Sequence, residues 1–79
     1  MDKNTCVIKL NTIDKVKDFV SRVSTFDCDV DILYGRYIID GKSLMSIFSL
    51  DVMNWLKAVI HTDDYDELKR FYEMMEDFK

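Results

Sequence analysis

The stretch CDVDILYGRYIIDG, residues 28–41, decides the fold. Its first half alternates strictly, with Cys28, Val30, Ile32 and Tyr34 on one side and Asp27, Asp29, Asp31 and Leu33 on the other. A period of two marks a half-buried strand. Gly35 then gives a tight turn into RYII, and the Asp40 and Gly41 pair closes that second run, so residues 28–40 predict a β-hairpin.

Working outward, TCVIKL places Cys6, Ile8 and Leu10 opposite Thr5, Val7 and Lys9, which predicts a strand ahead of the hairpin. From Thr12 the period changes. Ile13, Val16, Val20 and Val23 recur at helical spacing, Phe19 and Phe26 widen the stripe, and Thr12 or Asn11 serves as N-cap. Beyond the hairpin, Ser43 caps a short apolar helix ending near Asp51, and WLKAVIHT alternates again as a fourth strand. The last stretch, DDYDELKRFYEMMEDF, sets Tyr65, Leu68, Phe71, Tyr72, Met75 and Phe78 along one helical side. Acids crowd its first turn, where they complement the helix dipole, and Asp66 has i,i+4 spacing to Arg70. The order is β-α-β-β-α-β-α. A hairpin between helices that can all cover one sheet face predicts an α+β open-faced sandwich.

Composition narrows the function classes. Seventy-nine residues, 48% hydrophobic with no proline and two glycines, predict one ordered domain spanning residues 1–79, with little room for a deep cleft. A net charge of -4 with no basic stripe argues against nucleic acid. No window has the length and apolarity to cross a bilayer or form a signal sequence, so the expected location is the cytoplasm and no membrane partner is expected. Two cysteines, Cys6 and Cys28, lie in apolar alternations and read as small buried hydrophobes. With a single histidine, His61, they offer no zinc-type spacing, so neither a metal nor another cofactor is expected.

Element order, chain length and the local motif GKSLMSIFSL, residues 41–50, together resemble HPr, the histidine-containing phosphocarrier of the bacterial sugar phosphotransferase system. HPr-type proteins open their short second helix with a lysine–serine or similar pair followed by leucine and further apolar residues. The resemblance covers essentially the whole chain in element order. It implies a four-stranded antiparallel sheet with three helices on one face, and a phosphoacceptor histidine at the start of the first helix in a Gly-Leu-His-x-Arg-Pro-Ala motif.

Here the matching stretch is NTIDKVKDFV, and aligning Phe19 and Val20 with the family's apolar pair puts the histidine position at Thr12, or at Asp14 if the loop shifts. Histidine, arginine and proline are all missing. A phosphoramidate carrier needs an imidazole nucleophile supported by a cation and helix-start amides. A threonine phosphate ester is too stable to hand on, and an aspartyl phosphate at Asp14 normally needs a magnesium-binding acid cluster. The second helix is followed by DVMNW where family members commonly have glycine, which puts that loop's geometry in question.

The resemblance also implies a regulatory kinase site at Ser43, whose simpler role is an N-cap. It further implies a docking surface around the first-helix start and the second helix, in or beside which Ser43, Leu44, Met45, Ile47 and Phe48 fall. So dense an apolar run cannot all face a core, and Met45 and Phe48 are the expected exposed members. The bare sheet face, carrying Val7, Leu33, Trp55 and Val59, is a second candidate surface for a partner or a homodimer. The expected function is that of a non-enzymatic, HPr-like regulatory or protein-interaction module. Its partners would be phosphotransferase-system enzymes, a serine kinase or a transcriptional regulator. Two alternatives stay open: a phosphocarrier with a relocated acceptor at Asp14, Thr12 or His61, and an unrelated small structural protein.

Overall fold

The computed structural model describes residues 3–50 and 54–79. The strands are β1 (Thr5–Ile8), β2 (Val30–Tyr34), β3 (Tyr37–Asp40) and β4 (Leu56–Ile60), interleaved with helices α1 (Ile13–Val23), α2 (Leu44–Phe48) and α3 (Tyr65–Met75). A 3-10 turn, Glu76–Phe78, follows α3. All strand pairings are antiparallel, and the sheet order is β1-β4-β2-β3. Two crossovers, each skipping one strand, therefore carry α1 and α2, which is a split βαβ arrangement.

Alternation sets which face is covered. Cys6, Ile8, Val30, Ile32, Leu56, Ala58 and Ile60 are buried on one side of the sheet. Against them pack Val16, Phe19 and Val23 of α1, Ile47 of α2, and Leu68, Phe71 and Met75 of α3. Each fully buried side chain of this size contributes about 1.5–3 kcal/mol relative to exposure. Phe19 and Phe78 meet edge to face at 5.6 Å, as do Phe26 and Phe71 at 6.2 Å, so the aromatics lock α1 to the chain's last turns. No polar or charged residue is buried among the described residues.

The hairpin turn is Gly35 and Arg36. Gly35 has φ 58°, and a glycine at the first central position of a two-residue loop matches the twist of the strands it joins. Gly41 then approaches β2 closely, donating its amide to the Val30 carbonyl at 2.7 Å.

Several expectations are corrected. β2 begins at Val30 rather than Cys28, β1 stops at Ile8 although Leu10 is buried, and β4 spans Leu56–Ile60 without Trp55, His61 or Thr62. α2 ends at Phe48 with Ser49 as its C-cap, and Asp51 lies outside the described residues, as do Val52 and Met53 of DVMNW. Tyr65 is 76% exposed and Tyr72 also faces solvent, because α3 needs only Leu68, Phe71 and Met75 to cover the sheet. Ile13, at the first turn of α1, is likewise exposed. Cys28 is half-buried rather than buried. Arg70 pairs with Glu67 at 3.0 Å instead of with Asp66, and its guanidinium stacks 4.1 Å over the Phe26 ring.

Candidate functional site

Thr12 occupies the N-cap of α1 in extended backbone, and its hydroxyl accepts the Lys15 amide at 3.1 Å. A cap of this kind satisfies one of the free amides of the first turn. Ile13 and Asp14 follow, both exposed. At this end of α1 there is thus a hydroxyl already engaged as an acceptor and a carboxylate, with no imidazole beside them.

His61 lies elsewhere. The register pairs Ile8 with Leu56 at the end of the sheet from which the chain enters α1, and Thr5 with Val59 toward the other end. His61 lies five residue steps beyond Leu56, roughly 16 Å of extended chain. There the His61 amide donates to the Asp29 carbonyl at 2.9 Å, and Nε2 sits 2.7 Å from Oδ2 of Asp31. The structure therefore does not bring His61 to Thr12 or Asp14.

Ser43 caps α2. Its hydroxyl donates to Ser46 Oγ at 2.9 Å and takes the Ser46 amide at a long 3.4 Å. Lys42 Nζ donates to the Phe26 carbonyl at 2.7 Å, which anchors the start of α2 beside the exit of α1. Thr12 and Ser43 consequently mark opposite ends of α1, an 11-residue helix about 16 Å long.

Along α2 the residues separate cleanly. Met45 is 77% exposed and Phe48 is 39% exposed, while Leu44 is half-buried against the core. Ile47, expected on the docking surface, is sealed in the core instead, because a one-turn helix resting on α1 and β3 must bury its inward residue. The outward surface of α2 is Met45, Phe48 and the free edge of Leu44.

The face of the sheet away from the helices carries Val7, Leu33 and Val59, all half-buried, with Lys57 paired between Val7 and Leu33. Trp55, 56% exposed, lies beside it with the Lys9 ammonium 5.2 Å over its ring. Sequence reasoning missed the most exposed apolar residue of this face, Ile38 at 73%, together with its exposed neighbour Tyr37. The run Tyr37, Ile38, Ile39 carried the signal, since a strand apolar at consecutive positions must expose one of its sides unless both are covered.

Burial raises the Cys6 thiol above its usual range, the charge of Lys79 pulling it down and that of Glu76 pushing it up, and burial raises the Cys28 thiol as well. The hydrogen bonds that the Arg22 guanidinium donates to Asp77 and Asp18 hold it even more firmly protonated than usual. Among the described residues no group of three or more histidine, cysteine, aspartate or glutamate side chains converges as a metal site. No helix among them is long and apolar enough to cross a membrane.

The fold and the two helix starts define an HPr-like α+β open-faced sandwich. No protein-family model and no curated protein matches the chain. Solved structures do. HPr-C-His from Thermoanaerobacter tengcongensis superposes with a TM-score of 0.73 at 24% identity, covering 96% of this chain and 92% of that one. Phosphocarrier protein HPr from Bacillus anthracis strain Ames gives a TM-score of 0.72 at 16% identity, covering 95% of each chain. The chain has the HPr fold, and that likeness shows the fold alone.

Proposed function

We propose that this chain is an HPr-like protein-interaction module of the phosphotransferase system that does not carry phosphate on an imidazole. The observation that carries the reading is the start of α1, where Thr12 spends its hydroxyl on the helix cap and no imidazole stands beside it. Function has to be argued from the site rather than from the fold. Such a module is not an enzyme; it acts by docking, as one cytoplasmic, bacterial domain spanning the chain.

The docking surface of this reading is the outward side of α2, with Met45 and Phe48 as anchors and Leu44 at its margin. An exposed methionine and phenylalanine side by side suit an adaptable contact. Ser43, half-exposed beside them, is the residue of this reading at which a serine kinase would regulate docking. A phosphate there adds negative charge and strong acceptors at the edge of an apolar patch. The open face of the sheet, with Val7, Leu33, Val59 and Trp55, is a second surface for a partner. Superposition over nearly the whole chain disfavours the reading in which only the order of elements is shared with HPr.

The test is incubation with phosphoenolpyruvate and Enzyme I, followed by intact mass near neutral pH and site mapping. The expected result is an unmodified chain that still binds a phosphotransferase-system protein and loses that binding on Met45→Ala with Phe48→Ala. Acid-labile phosphate on Thr12, Asp14 or His61 would overturn it in favour of a relocated phosphocarrier.

A further inference from the structure

We infer that the free edge of β3 pairs with the same edge of a second copy of this chain, antiparallel about a two-fold axis at Ile38, joining two four-stranded sheets into one. The sheet order leaves two edges, β1 and β3. The β1 edge is guarded: the Lys9 amide donates to the Phe78 carbonyl at 2.8 Å, and Lys79 lies beside Thr5, Cys6 and Val7. Lysine and a covering chain segment are ordinary ways of blunting an edge.

Among the described residues β3 has no such protection. It reads Tyr37, Ile38, Ile39, Asp40, with no lysine, proline or bulge, and its four residues pair with β2 in unbroken register. All but Ile39 are exposed. In a hairpin closed by a two-residue loop, the pair flanking the loop exchanges both hydrogen bonds and the pattern then alternates. Tyr37 and Ile39 thus turn their amides and carbonyls toward β2, whereas Ile38 turns its own outward, so the centre of the edge offers a free donor and acceptor.

Charge and side-chain chemistry select the occupant. With Ile38 opposite Ile38 of the other copy, Tyr37 falls opposite Ile39, and Arg36 falls opposite Asp40 at both ends. Among the described residues Arg36 makes no ion pair. Asp40 commits one carboxylate oxygen to the Lys42 amide and keeps the other. The strip is self-complementary in this register. A two-residue slip would set Ile38 against Asp40 and lose both matches. The other copy's Tyr37 would also reach a hollow of about 340 Å³ lined by Tyr34, Tyr37, Ile39, Ser49 and Leu50.

The open sheet face is a poorer site for self-association, because Lys57, Asp31 and Asp40 stand among its apolar residues and a face-to-face pairing would have to desolvate all three charges. A four-residue edge buries well under the ~800 Å² per partner of a standard interface, so the dimer is weak and concentration-dependent.

Sedimentation velocity at about 0.15 M salt, where the Debye length is near 8 Å, with protein concentration raised to about 1 mM, reads this directly. The native chain is expected to self-associate. Arg36→Asp, which sets two acids opposite each other at both ends, should weaken association about tenfold, and adding Asp40→Arg should restore it. In a Cys28→Ser background, Ile38→Cys should oxidise to a disulfide-linked dimer, since directly opposed residues of a hydrogen-bonded pair lie about 5.5 Å apart. Lys57→Cys should not. A monomer at every concentration, association unmoved by Arg36→Asp, or cross-linking through Lys57→Cys but not Ile38→Cys would each overturn the inference.

Discussion

The Gly41 amide donates to the Val30 carbonyl at 2.7 Å, and a Cβ on Gly41 would stand 2.7 Å from that same oxygen. The contact joins the exit of β3 to the start of β2, just before the chain turns into α2. A side chain there has to push backbone from backbone, with no flexible group to yield. Gly41→Ala is therefore expected to cost more than about 2 kcal/mol, within the range of mutations that break a specific packing arrangement. Gly35→Ala meets nothing within 4 Å and has only its φ of 58° to oppose it, so about 1–2 kcal/mol is expected. Urea denaturation of both variants decides the matter; equal costs would mean that the close approach relaxes freely.

Ile47 and Met45 lie two residues apart on one short helix and should behave oppositely. Ile47 is fully buried and Met45 is 77% exposed. Truncating a buried isoleucine loses both transfer energy and packing, about 2–5 kcal/mol. Met45→Ala should stay within about 0.5 kcal/mol, as surface changes do. A large loss on Met45→Ala would show that this side chain packs into the core, and would remove it from any docking surface.

This contrast also shows how far the residues could be read in advance. Alternation placed β1, β2 and β4 and set Ile8, Ile32 and Leu56 on the face the helices cover, while β3 was legible only from the turn residues Gly35, Asp40 and Gly41 that bound it. Helix starts were legible too, since Thr12 and Ser43 each cap the helix that follows. The helix faces were less so. Tyr65 and Tyr72 share the spacing of Leu68, Phe71 and Met75, yet they fall at the flanks of the buried stripe, and spacing alone cannot say how wide a stripe the sheet covers. On α2, the run of apolar residues announced that some are exposed without saying that Ile47 is not. The exposure of Ile38 depends on β3 being an edge strand with one face uncovered, which is a property of strand order and not of local sequence.

The thiols should respond to pH in a definite direction. Burial raises Cys6 and Cys28 in the folded chain. A group whose folded value is raised binds its proton more tightly when folded, so its contribution is fully present below the ordinary thiol range and is lost as pH rises through the folded value. Stability should accordingly fall on the alkaline side, and Cys6→Ala should flatten that fall. In a neutral-pH thiol-labelling time course, Cys28 should react first and Cys6 at least about tenfold later, because thiolate content and access both limit the rate. Simultaneous labelling of the two would contradict the burial of Cys6.

Thr12 ties the stability of α1 to the functional reading. Its hydroxyl caps the Lys15 amide at 3.1 Å, so Thr12→Ala should cost about 1 kcal/mol, while Thr12→Ser and Thr12→Asp should nearly retain the native value. Aspartate also places negative charge at the positive end of the helix dipole, adding a few tenths of a kcal/mol at low salt. The measurement is thermal or urea unfolding of the three variants, with partner binding through α2 followed in parallel. If Thr12 is a structural cap, binding by folded Thr12→Ala matches that of the native chain, since Met45 and Phe48 sit on a different helix. A loss of binding without a loss of stability would instead assign the α1 start to the docking surface.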